Sequence, residues 1–267
     1  MPRLVEFFNN AWKSIGTKAD KFDLIGEVTN IPETALLDSD CLWEFEVAEK
    51  MTWASGRKAT RKEDIAYSLM GLFDVNIPLL YGEGDKAFTR LQEEITRNAN
   101  STTFLQWGVG ISTHRLFADD PSMFEWDIEV GGGNATFVPF SWTNVGLRLK
   151  TTLFRYGVEL YGIVLSHQSS YVDVVMILRK QPWYENLFYK VCIVPLAHAN
   201  NKCMSPEVTF TIMRGTRDQR IGKDDPRHED YDFLEGQYGV EFRCNGNIAI
   251  EPHTLKCSSQ TNPMQLS

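Results

Sequence analysis

The spacing of apolar residues changes near residue 107, and this change constrains the fold more than any other feature of the sequence. Before it, apolar residues recur every three or four positions, as in Phe88, Leu91 and Ile95, which is the spacing of an amphipathic helix. After it, short apolar runs separated by turn residues indicate β-strands. The sequence therefore predicts an α+β fold. The predicted divisions are a helical region over 1–107, a β-rich domain over 108–252 and a flexible tail over 253–267.

The β-rich part contains seven or eight short strand-like runs, a number typical of an antiparallel β-sandwich or an open barrel. The run at 146–154 alternates Leu147 and Leu149 with Arg148 and Lys150, so this strand should have one wet face. The run at 158–165 is apolar on both faces and should be central. The predicted strands are 137–140, 146–154, 158–165, 171–178, 187–194, 208–213, 239–242 and 248–250.

Local signals delimit a first helix in the N-terminal part. Thr60 followed by Glu63 matches the S/T-x-x-E capping box, which predicts that the Thr60 side chain caps the helix. Because Pro78 pushes the residue before it out of the helical region, the helix should end near Phe73.

A turn, Tyr81-Gly82-Glu83-Gly84, should then reverse the chain. Asp85 is positioned to cap a second helix that runs from Lys86 to about Asn98, so the two helices form a predicted helical hairpin. Pairs spaced at i,i+4 on the polar side of the second helix, Arg90 with Glu94 and Glu93 with Arg97, should add a few tenths of a kcal/mol each.

Composition and charge exclude several classes of partner and location. The chain has 267 residues and a net charge of -8, so it lacks the positive field that binding to nucleic acid requires. Its N-terminus lacks the apolar core of a signal peptide, so we expect that the chain is not secreted. It has no uncharged apolar run of about 18 residues, so we expect no membrane span. Its five cysteines form no C-x-x-C pair, which favours reduced thiols in a cytoplasmic protein.

No motif predicts a cofactor, a metal or a catalytic group. Gly82-Glu83-Gly84-Asp85-Lys86-Ala87 matches G-x-G-x-x-A, but a helix precedes it where a dinucleotide site needs a strand. His198 and Cys203 have no second pair to complete a zinc site. A Cys-His nucleophile assembled in three dimensions stays open as an alternative.

The segment 51–95 carries a dense motif. Its clearest parts are Trp53-Ala54, Arg61-Lys62-Glu63-Asp64-Ile65-Ala66-Tyr67, Tyr81-Gly82-Glu83-Gly84 and Arg90-Leu91-Gln92-Glu93-Glu94-Ile95. This motif closely resembles the block that follows the HET domain of fungal heterokaryon-incompatibility proteins. The resemblance extends over residues 1 to about 195. The resemblance marks as structural or partner-binding residues Trp53, Arg57, Arg61, Glu63, Asp64, Tyr67, Tyr81, Gly82, Glu83, Gly84, Phe88, Arg90, Leu91, Gln92 and Glu94.

Family members carry a HET core before this block, with G-Y-x-W, D-T-C-C-I-like and W-T-L-Q-E-L segments, and none of these occurs in this sequence. That core is related to TIR domains and is the part linked to cell death. We therefore expect this chain to be the region that follows a missing core, without a TIR-type activity.

The resemblance implies a non-enzymatic accessory or regulatory role in fungal non-self recognition and programmed cell death. The implied partner is a HET core or another protein of the incompatibility response. An enzyme with an unrecognised site in the β-rich domain, and a truncated product with no function of its own, stay open as alternatives. A pocket that holds a histidine or cysteine beside a carboxylate would favour the enzyme.

Physically, the motif predicts a clamp between the two helices. Glu83 should accept backbone N–H groups near a helix start, and Arg61 should pair with Asp64 across the hairpin. The aromatic rings of Tyr67, Tyr81 and Phe88 should pack beneath.

Overall fold

The structure is a computed structural model that describes most of the chain before residue 216. The predicted strands at 239–242 and 248–250 and the predicted tail at 253–267 lie outside the described residues. The described residues are 5–99, 101–111, 113–124, 134–135, 138–156, 159–167, 172–197 and 207–215.

The N-terminal part begins with two short strands that the helical pattern did not predict. Strand β1 (Glu6–Phe8) pairs antiparallel with β2 (Ser14–Thr17). Trp53, a residue of the family motif, is buried with Ile31, Ala35 and Leu36 in a small hydrophobic cluster. The helices of this part are α1 (Phe22–Thr29), α2 (Glu33–Leu37), a 3₁₀ turn (Ser39–Glu44) and α3 (Val47–Thr52).

The two helices of the motif have the predicted ends, but the predicted cap of the first helix, Thr60, is wrong. Helix α4 (Lys62–Phe73) ends at Phe73 because Asp74 adopts a left-handed conformation, with φ of 51°. Helix α5 (Lys86–Asn98) also has the predicted bounds. Arg61, rather than Thr60, occupies the N-cap position of α4. Neither helix start receives a side-chain hydrogen bond from its N-cap residue. In the part of the chain that the structure describes, no helix is long and apolar enough to cross a bilayer.

The described strands after residue 133 form one open mixed sheet. They are β3 (Asn134–Ala135), β4 (Phe140–Trp142), β5 (Gly146–Thr151), β6 (Phe154–Arg155), β7 (Leu160–His167), β8 (Val172–Lys180), β9 (Leu187–Ala197) and β10 (Val208–Met213). Their order in the sheet is β3-β7-β8-β9-β10-β5-β4, and β6 also pairs with β7. All neighbours are antiparallel except β9 and β10, which are parallel.

The structure confirms the α+β class and corrects the arrangement of the strands. The described strands after residue 133 form a single sheet that does not close, so they do not form the predicted sandwich, and the open barrel stays a prediction. The parallel pairing of β9 with β10 also departs from an all-antiparallel fold. In β5, Leu147 and Leu149 are buried while Arg148 and Lys150 are exposed, as predicted.

The most buried strand is β8, rather than the run at 158–165 that was predicted to be central. Residues 173–178 of β8 are all buried. Successive side chains of a strand point to opposite faces, so both faces of the sheet are covered at β8. In β7, by contrast, Tyr161 and Val164 are only partly buried.

One hydrophobic core includes residues from both sides of position 107. Helix α5 contributes Phe88, Leu91 and Ile95, and the sheet contributes Met176 and Phe210, among others. Trp107 is 1% exposed and donates its indole N–H to the carbonyl oxygen of Leu116 at 2.9 Å. The helices and the sheet are therefore held together by apolar burial, which stabilises by roughly 25 cal/mol per Å² of surface removed from water.

A buried lysine lies beneath Trp107. The Nζ atom of Lys190, on β9, lies 3.3 Å from the Trp107 carbonyl oxygen and 3.3 Å from the centroid of the Trp107 ring. Its side chain is fully buried. Burial disfavours the charged amine, and so lowers the pKa of Lys190 well below its ordinary value of 10.5.

We predict that Lys190→Met raises the free energy of unfolding at neutral pH, by about 1–3 kcal/mol. In the wild type, Lys190 keeps its proton to a higher pH in the unfolded chain than in the folded chain. Stability should therefore rise with pH between the lowered folded pKa and the ordinary value of 10.5. Denaturant unfolding of both proteins from neutral to alkaline pH measures this.

The gain from Lys190→Met should shrink as the pH approaches 10.5, because the unfolded lysine then also loses its proton. Lys150→Met, at an exposed position on β5, is the control and should show no such trend. A gain that is independent of pH would contradict the account of Lys190.

Candidate functional site

Several residues of the motif at 51–95 converge on the loop of residues 78–85, called loop 78–85 below, and Glu63 is the centre of that arrangement. Glu63, in the first turn of α4, is 6% exposed. Its Oε1 atom accepts the backbone N–H of Gly82 at 2.7 Å and of Gly84 at 2.9 Å. Hydrogen bonds from the N–H of Gly84, of Glu63 itself and of Gly82 lower the pKa of the Glu63 carboxyl. The carboxylate thus fixes the backbone of loop 78–85.

The two glycines give loop 78–85 the backbone shape that these bonds need. Gly82 has φ of 97° and Gly84 has φ of 59°, and glycine adopts such positive φ values without the steric cost that a Cβ atom imposes. No heavy atom lies within 4 Å of a Cβ built at either position. The requirement for glycine is therefore one of backbone conformation, not of space.

Two tyrosines attach the first half of loop 78–85 to α4. The Tyr67 hydroxyl accepts the backbone N–H of Leu80 at 2.7 Å, and the Tyr81 hydroxyl donates to Asp64 at 2.9 Å. The bond to Asp64 raises the pKa of Tyr81. The two rings meet edge to face with centroids 5.5 Å apart, and the Arg61 guanidinium lies 4.9 Å from the Tyr81 ring centroid.

Arg90 attaches the second half of loop 78–85 to α5. Its Nε atom lies 3.1 Å and 3.0 Å from the two carboxylate oxygens of Glu83, and its Nη2 atom donates to Glu83 and to the Pro78 carbonyl oxygen. Bidentate pairs of this kind are among the stronger charged contacts in proteins. The hydrogen bonds to Glu83 raise the pKa of Arg90 further above its ordinary value.

Loop 78–85 is held to both helices, but not by the contacts that were predicted for the clamp. The carboxylate of Glu63, not that of Glu83, accepts the backbone N–H groups of the loop. These bonds stand in place of the capping box that was predicted between Glu63 and Thr60. Glu83 pairs with Arg90 instead. Asp85 occupies the predicted N-cap position of α5, but its side chain makes no capping hydrogen bond and pairs with Lys62 at 2.9 Å.

The predicted ion pairs within this region are also wrong. Arg61 lies over the Tyr81 ring, and Asp64 accepts the Tyr81 hydroxyl, so these two side chains are engaged by Tyr81. Of the predicted α5 pairs, Arg90 contacts Glu83 instead of Glu94, and Glu93 contacts Arg214. Only the i,i+3 pair of Glu94 with Arg97 forms along α5 among the described ion pairs.

The remaining motif residues lie away from loop 78–85. Phe88 and Leu91 are buried in the main core, and Arg57 is exposed. Gln92 is buried and exchanges hydrogen bonds of 2.9 Å and 3.0 Å with the backbone of Ala118. These residues thus have packing roles, except for Arg57, to which the structure gives no side-chain contact.

The fastened loop nevertheless presents apolar side chains to solvent. Leu79 is 57% exposed, Leu80 is 52% and Tyr81 is 53%. Tyr81 was predicted to pack beneath the clamp, and it is instead on the surface. Leu79, Leu80 and Tyr81 therefore form a run of three exposed apolar residues on one loop.

A cleft of about 390 Å³ adjoins loop 78–85 and contains residues that the sequence did not single out. Arg115 and Arg214 line it together with Arg90 and Glu93 of α5. These arginines are far apart in sequence and share no motif, so only the fold brings them together. Neither a histidine nor a cysteine lines the cleft, whereas the enzyme alternative requires one of them beside a carboxylate in a pocket.

A histidine does lie beside a carboxylate elsewhere in the sheet. The Nδ1 atom of His167, at the end of β7, is 2.6 Å from a carboxylate oxygen of Asp173 on β8. Asp173 is fully buried and the side chain of His167 is partly exposed. The pair provides the histidine beside a carboxylate that the enzyme alternative requires.

Comparison with known proteins gives one similarity. Over 98 residues, 36% of this chain, the sequence is 46% identical to vegetative incompatibility protein HET-E-1 of Podospora anserina. The similarity is to a fungal incompatibility protein. The matched part is 7% of the length of that relative, so the chain spans only a small part of it. No protein-family model matches the chain, and no solved structure matches it.

We predict that Glu63→Gln lowers the melting temperature at neutral pH by roughly 2–4 °C, because an amide accepts the two N–H groups more weakly than a carboxylate does. The lowered pKa of Glu63 means that its stabilisation is complete above the ordinary value of 4.5. It is lost as the pH falls through the lowered folded value. Thermal unfolding of both proteins from neutral to acid pH measures this.

Glu94→Gln is the matched control, since Glu94 is in a surface ion pair on α5 and such pairs contribute little. An effect of Glu63→Gln no larger than that of Glu94→Gln would show that Glu63 does not fasten the loop.

Proposed function

We propose that this chain is a non-enzymatic accessory region of a fungal vegetative incompatibility system and that loop 78–85 is its protein-binding element. The similarity to HET-E-1 over 98 residues supports the biological setting. The resemblance of 51–95 to the block after the HET domain supports an accessory role next to a HET core, in the cytoplasm. The observation that carries the proposal is the contrast between the fixed backbone and the exposed side chains of loop 78–85.

A rigid apolar loop is suited to binding a protein. Glu63, Tyr67 and Arg90 hold its backbone by side-chain bonds, so little conformational entropy remains to be lost when a partner docks. Aromatic and large apolar anchors contribute most of the energy of protein interfaces. Leu79, Leu80 and Tyr81 supply such anchors.

The surroundings of the loop define the chemistry of the partner. Arg57, Lys58, Arg61 and Lys62 are all exposed, and Arg61 and Lys62 contact residues of the loop directly. The partner surface should therefore be apolar at its centre and acidic at its rim. A HET core or another protein of the incompatibility response is the proposed partner.

The proposal is tested by gene replacement in the fungus that encodes the chain. Deletion should abolish the incompatibility reaction between strains of unlike genotype, and Leu79→Lys combined with Leu80→Lys should reproduce the deletion. Two added charges remove the apolar anchors from the interface, while the exposed positions leave folding intact. Protein abundance, measured by immunoblot, should be unchanged.

Leu24→Lys combined with Leu37→Lys is the matched control, because these leucines are 55% and 61% exposed and lie on α1 and α2. This variant should react like the wild type. A normal reaction after deletion would exclude the biological role. A normal reaction with the loop variant, where deletion abolishes it, would exclude the loop as the binding element.

A further inference from the structure

The cleft beside loop 78–85 concentrates positive charge in an acidic protein. Lys86 and Arg90 of α5, Arg115 and Arg214 line it. The carboxylates in its lining are Glu83 and Glu93, and Asp119 pairs with Arg115 from outside the lining, so four cations face three anions. The whole chain has a net charge of -8. Grouping like charges in one concave site costs electrostatic energy, and a bound anion would offset this cost.

The backbone brings the two distant arginines together. The N–H of Leu116 donates to the carbonyl oxygen of Arg214 at 3.2 Å, which places the residue after Arg115 against Arg214. Gly215 adopts φ of 71°, and a Cβ atom there would lie 2.1 Å from the carbonyl oxygen of His114. The close approach of these two segments therefore requires glycine at position 215.

Each guanidinium is held in place with hydrogen-bond donors to spare. Arg115 bonds Asp119 through Nη1, and Arg214 bonds Glu93 through Nη1 at 2.9 Å. A guanidinium has five N–H donors in a fixed fork, so most of the donors on Arg115 and Arg214 are not used by these pairs. Lys86 is exposed and makes no ion pair among the described residues.

An aromatic stack supports one wall of the cleft. Phe117 lines it and packs on Trp142, with ring centroids 5.3 Å apart. The Arg214 guanidinium lies 5.2 Å from the centroid of the Trp142 ring, and Trp142 donates its indole N–H to Thr96 of α5 at 2.8 Å. The position of Arg214 is thus set by contacts on two sides, from Glu93 and from Trp142.

We propose that this cleft binds a small molecule that carries phosphate, held by the guanidinium groups of Arg115 and Arg214 with Arg90 and Lys86 beside them. The planar fork of arginine matches the oxygens of a phosphate group and bonds them in pairs. A volume of about 390 Å³ is in the range of small-molecule sites. The proposal goes beyond docking by loop 78–85 and does not depend on it.

A phosphate suits the cleft better than a single carboxylate does. A phosphate carries up to two negative charges and three acceptor oxygens, which matches the several unused donors of the arginines and the positive charge of Lys86. A nucleic acid strand is disfavoured, because the net charge of the protein is strongly negative outside the cleft.

The test is calorimetric titration of the full chain with inorganic pyrophosphate. The wild type should bind it, and Arg115→Gln and Arg214→Gln should each weaken binding roughly ten-fold, as expected for the loss of a charged hydrogen bond. Higher salt should weaken binding as well, because it screens the charges. Lys86→Gln removes a cation without breaking an ion pair, so it should also weaken binding and keeps the test valid if an arginine variant fails to fold.

Arg97→Gln is the matched control, since Arg97 is an ion-paired arginine on α5, the helix of Lys86 and Arg90, and does not line the cleft. Its affinity for pyrophosphate should equal that of the wild type. The proposal is overturned if the wild type does not bind pyrophosphate or if Arg97→Gln weakens binding as much as the cleft variants. Tighter binding of a phosphoserine peptide than of pyrophosphate would likewise contradict a small-molecule site.

Discussion

The hydrogen bonds between the Glu63 carboxylate and the N–H groups of Gly82 and Gly84 are the interaction on which the motif region depends. A buried carboxylate without donors is costly, and a loop between two helices has few backbone partners of its own. The two N–H groups therefore supply the donors that the carboxylate needs, and the carboxylate supplies the acceptor that they need. The contact also requires positive φ at both glycines, so sequence, backbone shape and electrostatics agree at this point.

Helix α5 carries that constraint into the rest of the structure. Its apolar side places Phe88 and Leu91 in the core shared with the sheet, and Gln92 ties it to the segment at Ala118. Its polar side holds loop 78–85 through Arg90 and contributes Glu93 to the cleft. Because one helix serves both sites, the position of its N-terminus at loop 78–85 sets the geometry of the loop and one wall of the cleft.

Local signals in the sequence predicted the elements, and long-range contacts determined what the sequence did not predict. The end of α4 at Phe73 and the start of α5 at Lys86 follow from nearby residues, so both were predicted. The predicted role of Glu63 was wrong because a capping box is a local pattern, whereas the N–H groups that Glu63 accepts lie about twenty residues further along the chain.

The sheet and the cleft show the same limit. The bounds of β10 at 208–213 were predicted, yet its parallel pairing with β9 depends on the order of strands in space. Arg115 and Arg214 join one cleft through a backbone contact between segments that are about a hundred residues apart. The resemblance named Glu63, Tyr67 and Arg90 without giving their contacts, and the structure places all three against loop 78–85.

Hydrogen exchange at the Gly82 and Gly84 amides, followed by NMR, is the most direct test of the central claim. If Glu63 fastens loop 78–85, both amides exchange slowly in the wild type and much faster in Glu63→Gln, while the Leu91 amide inside α5 stays protected in both proteins. Rapid exchange of Gly82 and Gly84 in the wild type, at the rate of an open loop, would contradict the account.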